Sequence, residues 1–318
     1  MDEKNLLICD KDLRYASVLG ENIMRRKELA FRVHICTCAE SVYEFGKEKN
    51  IDVLIVDESF SEEEREKMKA QQVFVLTENK VYNPRNREHG LYKFQPADKI
   101  LANVLDVFDE KKDFSVLKSG CKTKGNLIAV YSPIHRIGKT EFALGLGMEL
   151  AQKSKTLYIN LEEYSDIGGR FALSEGRNLG DLLYYTRQEE SNLALRLSTV
   201  IREIGELDYI PPIPMSVDLK EISLEEWKQF FAAILQETTY ETVILDLGES
   251  VQGLLEILQM CHKIYMPTLE DAISKRKIRQ FEEEVTKMNK EMIKRKTYQF
   301  IAVSDMSACG RQMVEEEE

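Results

Sequence analysis

Short apolar runs rich in β-branched residues alternate with helix-spaced stretches along most of the chain, and this alternation restricts the fold more than any other feature. In the first third the runs are LLIC (6–9), FRVHIC (31–36), DVLIV (52–56) and VFVL (73–76). Leu13, Ala16, Val18, Leu19 and Ile23 follow the first run close to one helical face. Ile100, Leu101, Val104, Leu105 and Phe108 form a second stripe along ADKILANVLDVFDEKK. A new series begins at NLIAVY (126–131) and continues through TLYINL (156–161), LDYIPP (207–212), TVILDL (242–247), KIYMP (263–267) and YQFIAVS (298–304). Helices that return the chain to the starting edge make consecutive strands parallel and cover both sheet faces. An α/β chain with two doubly wound parallel sheets is therefore expected. The run KKDFSVLKSGCKTKG (111–125) breaks the period with lysine, serine and glycine, which sets a domain at 1–112, a linker at 113–124 and a larger domain at 125–318. A length of 318 residues suits two cores.

Composition narrows the function classes. The net charge of −11 argues against a nucleic-acid binder, whose affinity rests on neutralising phosphates. The acidic start MDEKN precedes an apolar run too short for a secretory signal, and the longest purely apolar run, FFAAIL (230–235), falls far short of a bilayer span. A cytoplasmic location is expected. Six cysteines are scattered, only Cys36 and Cys38 lie close together, and no histidine cluster completes a zinc spacing, so they read as reduced thiols.

The stretch YSPIHRIGKT (131–140) carries the chemistry of the second series. Its end matches the phosphate-loop pattern G-x-x-x-x-G-K-[ST] through Gly138, Lys139 and Thr140, while Pro133 stands at the first glycine. An apolar strand precedes it, and Phe142, Ala143, Leu146 and Leu150 mark a helix after it. At such a strand-to-helix turn, loop N–H groups and the helix N-terminus can bind phosphate. Ile137, Gly138, Lys139, Thr140 and Glu141 are the expected nucleotide-binding segment. Lys139 would contact the β- and γ-phosphates of ATP, with Thr140 and the strand-end Asp246 holding Mg²⁺.

In an open parallel sheet, ligand chemistry gathers beyond the carboxyl ends of the strands. In the first domain those ends carry Asp10, Asp57, Thr77 and Gln95–Pro96. This order resembles the receiver domains of two-component signalling, which are flavodoxin-like. The resemblance implies that Asp57 is the phosphoacceptor, with Asp10 from the Mg²⁺-binding acidic pair and Thr77 beside the phosphoryl group. Two positions depart from the pattern. Lys11 replaces the second acid, where it would repel Mg²⁺ and pair with Asp57, and Gln95 replaces the lysine before the proline, which removes the charge that clamps the phosphoryl group. A degenerate phosphoacceptor site in a domain kept for protein contact is expected.

The second domain resembles the MinD/ParA group of deviant Walker P-loop NTPases, whose loop reads KGGxGK[ST] and whose next strand ends in D-x-D. Here LYINLEEYSDIGG aligns Asn160 and Glu162 with the two acids. The resemblance implies that Glu162 orients the attacking water, with Asp166 in reserve. An NtrC-type activator is not matched, because Asp246 is followed by Leu247 and Gly248 and no GAFTGA-like segment occurs. The domain pair, with the stretch from Asn178 to Pro212 between the second strand and Asp246, resembles the TadZ/CpaE family over essentially the whole chain. That family localises the Tad (Flp) pilus secretion machinery, often at a cell pole. The resemblance implies an ATP-binding homodimer whose partners are Tad secretion components or a polar protein, and the receiver resemblance implies the helix at 97–108 as a further pairing surface.

The loop departs from the group at its signature lysine, which is Ile134 here. His135 and Arg136 replace glycines, and Pro133 removes a backbone donor. Arg136 is either a replacement cation with a catalytic role or a solvent-facing side chain. Lys139 and Thr140 suffice for binding, so ATP binding with slow hydrolysis is expected, a weak ATPase at most. The alternatives are a nucleotide-independent scaffold with both sites vestigial and a phosphorylation-gated response regulator. Lys275, Arg276, Lys277 and Arg279 read as a solvated helix face or a basic patch. The closing VEEEE would be repelled by an anionic membrane, so direct insertion is not expected.

Overall fold

The computed structural model describes residues 3–26, 28–79, 88–111, 116–117, 125–164, 177–186 and 192–315. It divides into two compact units, Met1–Gly120 and Cys121–Glu318.

In the first unit, β1 (Lys4–Cys9), β2 (Phe31–Cys36), β3 (Ile51–Asp57), β4 (Ala70–Thr77) and β5 (Glu88–Tyr92) form one sheet in the order β2-β1-β3-β4-β5. Every pairing is parallel. The direction of strand order reverses between β1 and β3, which places Asp10 and the β3 end Asp57 side by side at the ligand-binding edge. Local chemistry starts the helices. Asp12 accepts from the Arg14 and Tyr15 amides ahead of Leu13–Arg25, and Ser61 and Glu64 form a reciprocal capping box ahead of Glu62–Lys67. The stripe Ile100, Leu101, Val104, Leu105 and Phe108 of helix Ala97–Glu110 is buried within the unit. Those apolar residues are therefore spent on the core, as a stripe covering a sheet must be. Val116 is buried and accepts from the Ala30 amide, and Leu117 bridges Leu29, so this part of the 113–124 stretch packs on the first unit.

In the second unit, β6 (Asn126–Val130), β7 (Thr156–Leu161), β8 (Arg202–Ile204), β9 (Leu207–Ile210), β10 (Thr242–Leu247), β11 (Lys263–Thr268) and β12 (Thr297–Ile301) form a sheet in the order β12-β11-β6-β10-β7-β9-β8. All pairings are parallel except β8 with β9. That exception is a tight hairpin, REIGELDYI, turned by Gly205 at φ 64°. Strands β7 and β10 are buried along their whole length, as near-continuous apolar runs in a covered parallel sheet must be. Besides the threonines that open them, Thr156 and Thr242, their polar residues Asn160 and Asp246 lie at the carboxyl ends. One face packs on Trp227, Phe230 and Phe231 of helix Leu224–Glu237. The other packs on helix Lys139–Lys153, through Phe142, Ala143 and Leu146, and on helix Met306–Glu315. These two helices touch backbone to backbone. A Cβ on Gly145 would lie 2.1 Å from the Ser307 carbonyl oxygen, and one on Gly310 would lie 2.3 Å from that of Phe142. Among the described residues no helix is long and apolar enough to cross a membrane.

Candidate nucleotide-binding site

Strand β6 lies between β10 and β11, and the chain leaves it for β7 on one side and later returns to β11 on the other. The loop after β6 therefore sits where a parallel sheet of this kind opens its ligand crevice. Within the loop, Ile134 and Ile137 turn inward and join the core, while His135 and Arg136 are exposed. The expected loss of the signature lysine thus has a structural counterpart, an isoleucine buried as an anchor. Arg136 (φ 57°) and Gly138 (φ 76°) both adopt the left-handed conformation. For Arg136 this costs roughly 1–2 kcal/mol, so the loop keeps a glycine-type backbone path with a side chain that disfavours it. His135 Nε2 lies 3.4 Å from Glu249, both exposed. Gly138 caps helix Lys139–Lys153, which directs the first-turn amides at the loop's concavity.

Lys139 is buried, with its ammonium 2.5 Å from Glu162 Oε1 and 3.1 Å from the Leu247 carbonyl. Asp246 is fully buried and stands opposite Val130 of β6 and Asn160 of β7 in the sheet register. Its Oδ2 accepts from the Tyr158 hydroxyl at 2.9 Å and from Asn160 Nδ2 at 3.2 Å. Its Oδ1 has no hydrogen-bond partner of ordinary geometry. Burial, then the charge of Glu162, pushes the Asp246 carboxyl up to about 6, while Lys139, the Thr140 hydroxyl and Tyr158 pull it down. A buried carboxylate oxygen without a partner, next to a hydroxyl, is a hard oxygen donor set that fits Mg²⁺, which keeps several waters and needs few protein ligands. Among the described residues no group of three or more His, Cys, Asp or Glu is placed to hold a metal. Lys139, Thr140, Asp246 and Glu162 are brought together. Glu141 lies half-buried in the first helical turn, and Asp166 falls outside the described residues.

In the first unit, Asp10 and Asp57 are buried and both contact Lys93, whose Nζ is 2.6 Å from Oδ2 of each. This corrects two sequence expectations. The cation on Asp57 is not Lys11, which donates to the Ser59 carbonyl at 3.3 Å and lies over the Phe60 ring. The charge missing at Gln95 is supplied two residues earlier, directly after β5, where strand geometry rather than the proline sets the position. Burial raises the Asp57 carboxyl, but hydrogen bonds from Lys93 and Ser59 outweigh it and leave the group below its ordinary range. Burial likewise lowers Lys93, and its bonds to Asp10 and Asp57 more than offset that. The Thr77 hydroxyl donates to the Asn79 carbonyl at 2.7 Å.

No protein-family model matches the sequence, and no curated protein is similar to it. Several solved structures are distantly similar, three of which follow. The ParA family ATPase from Chlorobium tepidum is 16% identical over 60% of this chain and 82% of its own, with a TM-score of 0.47. A plasmid partition protein from Borrelia burgdorferi bound to AMPPNP is 18% identical over 61% of this chain and 82% of its own, with a TM-score of 0.45. Cobyrinic acid a,c-diamide synthase from Mycobacterium smegmatis, with an ATP analogue and magnesium, is 13% identical over 61% of this chain and 83% of its own, with a TM-score of 0.43.

Away from the site, Lys275, Arg276, Lys277 and Arg279 are exposed on helix Ala272–Lys287, which buries Ser274, Ile278, Phe281 and Val285. Sequence reasoning missed Lys93 and Tyr158. Lys93 is signalled only by its place after a strand end, and Tyr158 by a phenol in an otherwise aliphatic buried run.

Proposed function

We propose that the second unit binds ATP with Mg²⁺ and hydrolyses it slowly, and that the chain works as a dimeric localisation factor of the TadZ/CpaE type for Tad/Flp pilus machinery. The observation that carries the nucleotide reading is the convergence of Lys139, Thr140 and Asp246 around a helix N-terminus at the crevice of the sheet. On this reading, Lys139 exchanges Glu162 and the Leu247 carbonyl for the β- and γ-phosphates, and Glu162, once released, orients the attacking water. Thr140 and Asp246 would hold Mg²⁺, which would supply neutralisation of the phosphate charge. Slow hydrolysis follows from a buried Ile134 where related loops carry a cation. Arg136, exposed and held in a strained turn, is the group able to reach the nucleotide of a second copy. Sedimentation velocity on the full chain tests the assembly. ATP with Mg²⁺ should convert monomer to dimer, and Arg136→Ala should abolish that shift while nucleotide affinity changes less than about threefold. Sedimentation indifferent to ATP contradicts the dimer reading.

A phosphorylation-gated reading of the first unit gains one observation, the lysine that Asp57 chemistry requires. Acetyl phosphate with Mg²⁺ should then add one phosphoryl mass that Asp57→Asn removes. No mass gain leaves the unit as a contact domain.

A further inference from the structure

Asn160 stands opposite Asp246 in the β7–β10 register, and Tyr158, two residues earlier, points to the same sheet face. Both side chains are buried, Tyr158 completely. The Glu162 amide donates to Asn160 Oδ1 at 3.0 Å. Asn160 Nδ2 donates to the Tyr158 phenol oxygen at 2.9 Å and to Asp246 Oδ2 at 3.2 Å. Because the phenol oxygen already accepts from Asn160, its one hydrogen is directed at Asp246 Oδ2, 2.9 Å away. A phenol in a dry strand is tolerated only with such a partner, whereas phenylalanine would fill the same space without needing one. Two donors on Oδ2 fix the plane of the carboxylate and leave Oδ1 without a hydrogen-bond partner of ordinary geometry, while the Thr140 hydroxyl also lies against the carboxylate.

We propose that Tyr158, braced by Asn160, is a positioning residue for divalent-cation binding at Asp246. It does not touch the cation. It holds the carboxylate in the one orientation that presents Oδ1, and Asn160 ties that orientation to the backbone of Glu162. The proposal rests on the reading of the second unit as an Mg²⁺-nucleotide site and adds to it two residues that the loop motif does not contain. Partners of this kind commonly change metal affinity by about 10- to 100-fold.

The test compares wild type, Tyr158→Phe and Asn160→Ala for the affinity of a fluorescent ATP analogue in Mg²⁺ and in EDTA, with the thermal transition as a check of folding. Mn²⁺ occupancy is followed by electron paramagnetic resonance. In EDTA all three proteins should bind within about twofold of one another. The enhancement by Mg²⁺ should fall roughly tenfold in Tyr158→Phe, with a parallel loss of bound Mn²⁺. Asn160→Ala should act in the same direction and decides the matter if Tyr158→Phe does not fold. Equal enhancement in wild type and variants overturns the positioning role and leaves the nucleotide reading intact. Wild type that binds no nucleotide in either condition overturns both.

Discussion

Lys93 neutralises two carboxylates that the β1–β3 register forces together, and removing it should show how much of the first unit depends on that. Lys93→Met leaves a buried acidic pair without its cation and should cost about 3–5 kcal/mol in urea denaturation. Mg²⁺ should recover part of the loss in the variant while leaving wild type unchanged. The pH dependence of the two sites has opposite sign. Asp57 lies below its unfolded value, so its contribution is present at neutral pH and is lost as pH falls through the lowered value. Asp246 is raised from 3.8 to about 6, so the metal-free fold binds a proton there that the unfolded chain has released. Stability therefore falls as pH rises from about 4 to about 6, by roughly 3 kcal/mol at full effect. Asp246→Asn should flatten that stretch of a denaturation-against-pH curve. Lys139, Thr140 and Asp246 were legible because motif spacing and strand ends locate them. Lys93 was not, because anchoring on Pro96 misplaced the register by two residues. Tyr158 escaped notice because a buried aromatic in a strand ordinarily means packing alone.

At the scale of elements, the loop after β6 is held from behind by helix Met306–Glu315. Met306 occupies the space a Cβ on Gly138 would need, and the Gly145 and Gly310 contacts bring the two helix backbones together. Gly145→Ala, facing backbone at 2.1 Å, should cost at least about 1–3 kcal/mol and weaken nucleotide binding as the helix shifts. Gly205→Ala, whose Cβ meets nothing within 4 Å, should cost only its left-handed backbone and leave binding unchanged. Thermal melts with nucleotide titrations on both variants separate the two effects. The parallel strands were legible because continuous β-branched runs such as TVILDL leave no polar face for any other packing. The antiparallel β8 was not, since the three residues of REI carry no period and only the turn at Gly205 marks it. The stripe of Ala97–Glu110 was legible as a helix, but which surface would cover it is a tertiary fact.

At the scale of the molecule, each unit has its own apolar core and its own cluster of charged side chains at the carboxyl edge of its sheet. A chain cut to residues 121–318 should therefore fold and bind ATP within about threefold of the full protein, as calorimetry on both would show. The central claim is that the second crevice holds a nucleotide through Lys139. The most direct measurement is isothermal titration of Mg²⁺-ATP into the full chain and into Lys139→Ala, with matched thermal transitions confirming that both are folded. Saturable binding by wild type, weakened at least about tenfold in the variant, is the expected result. Equal affinities, or no binding by wild type at millimolar ATP, would contradict it.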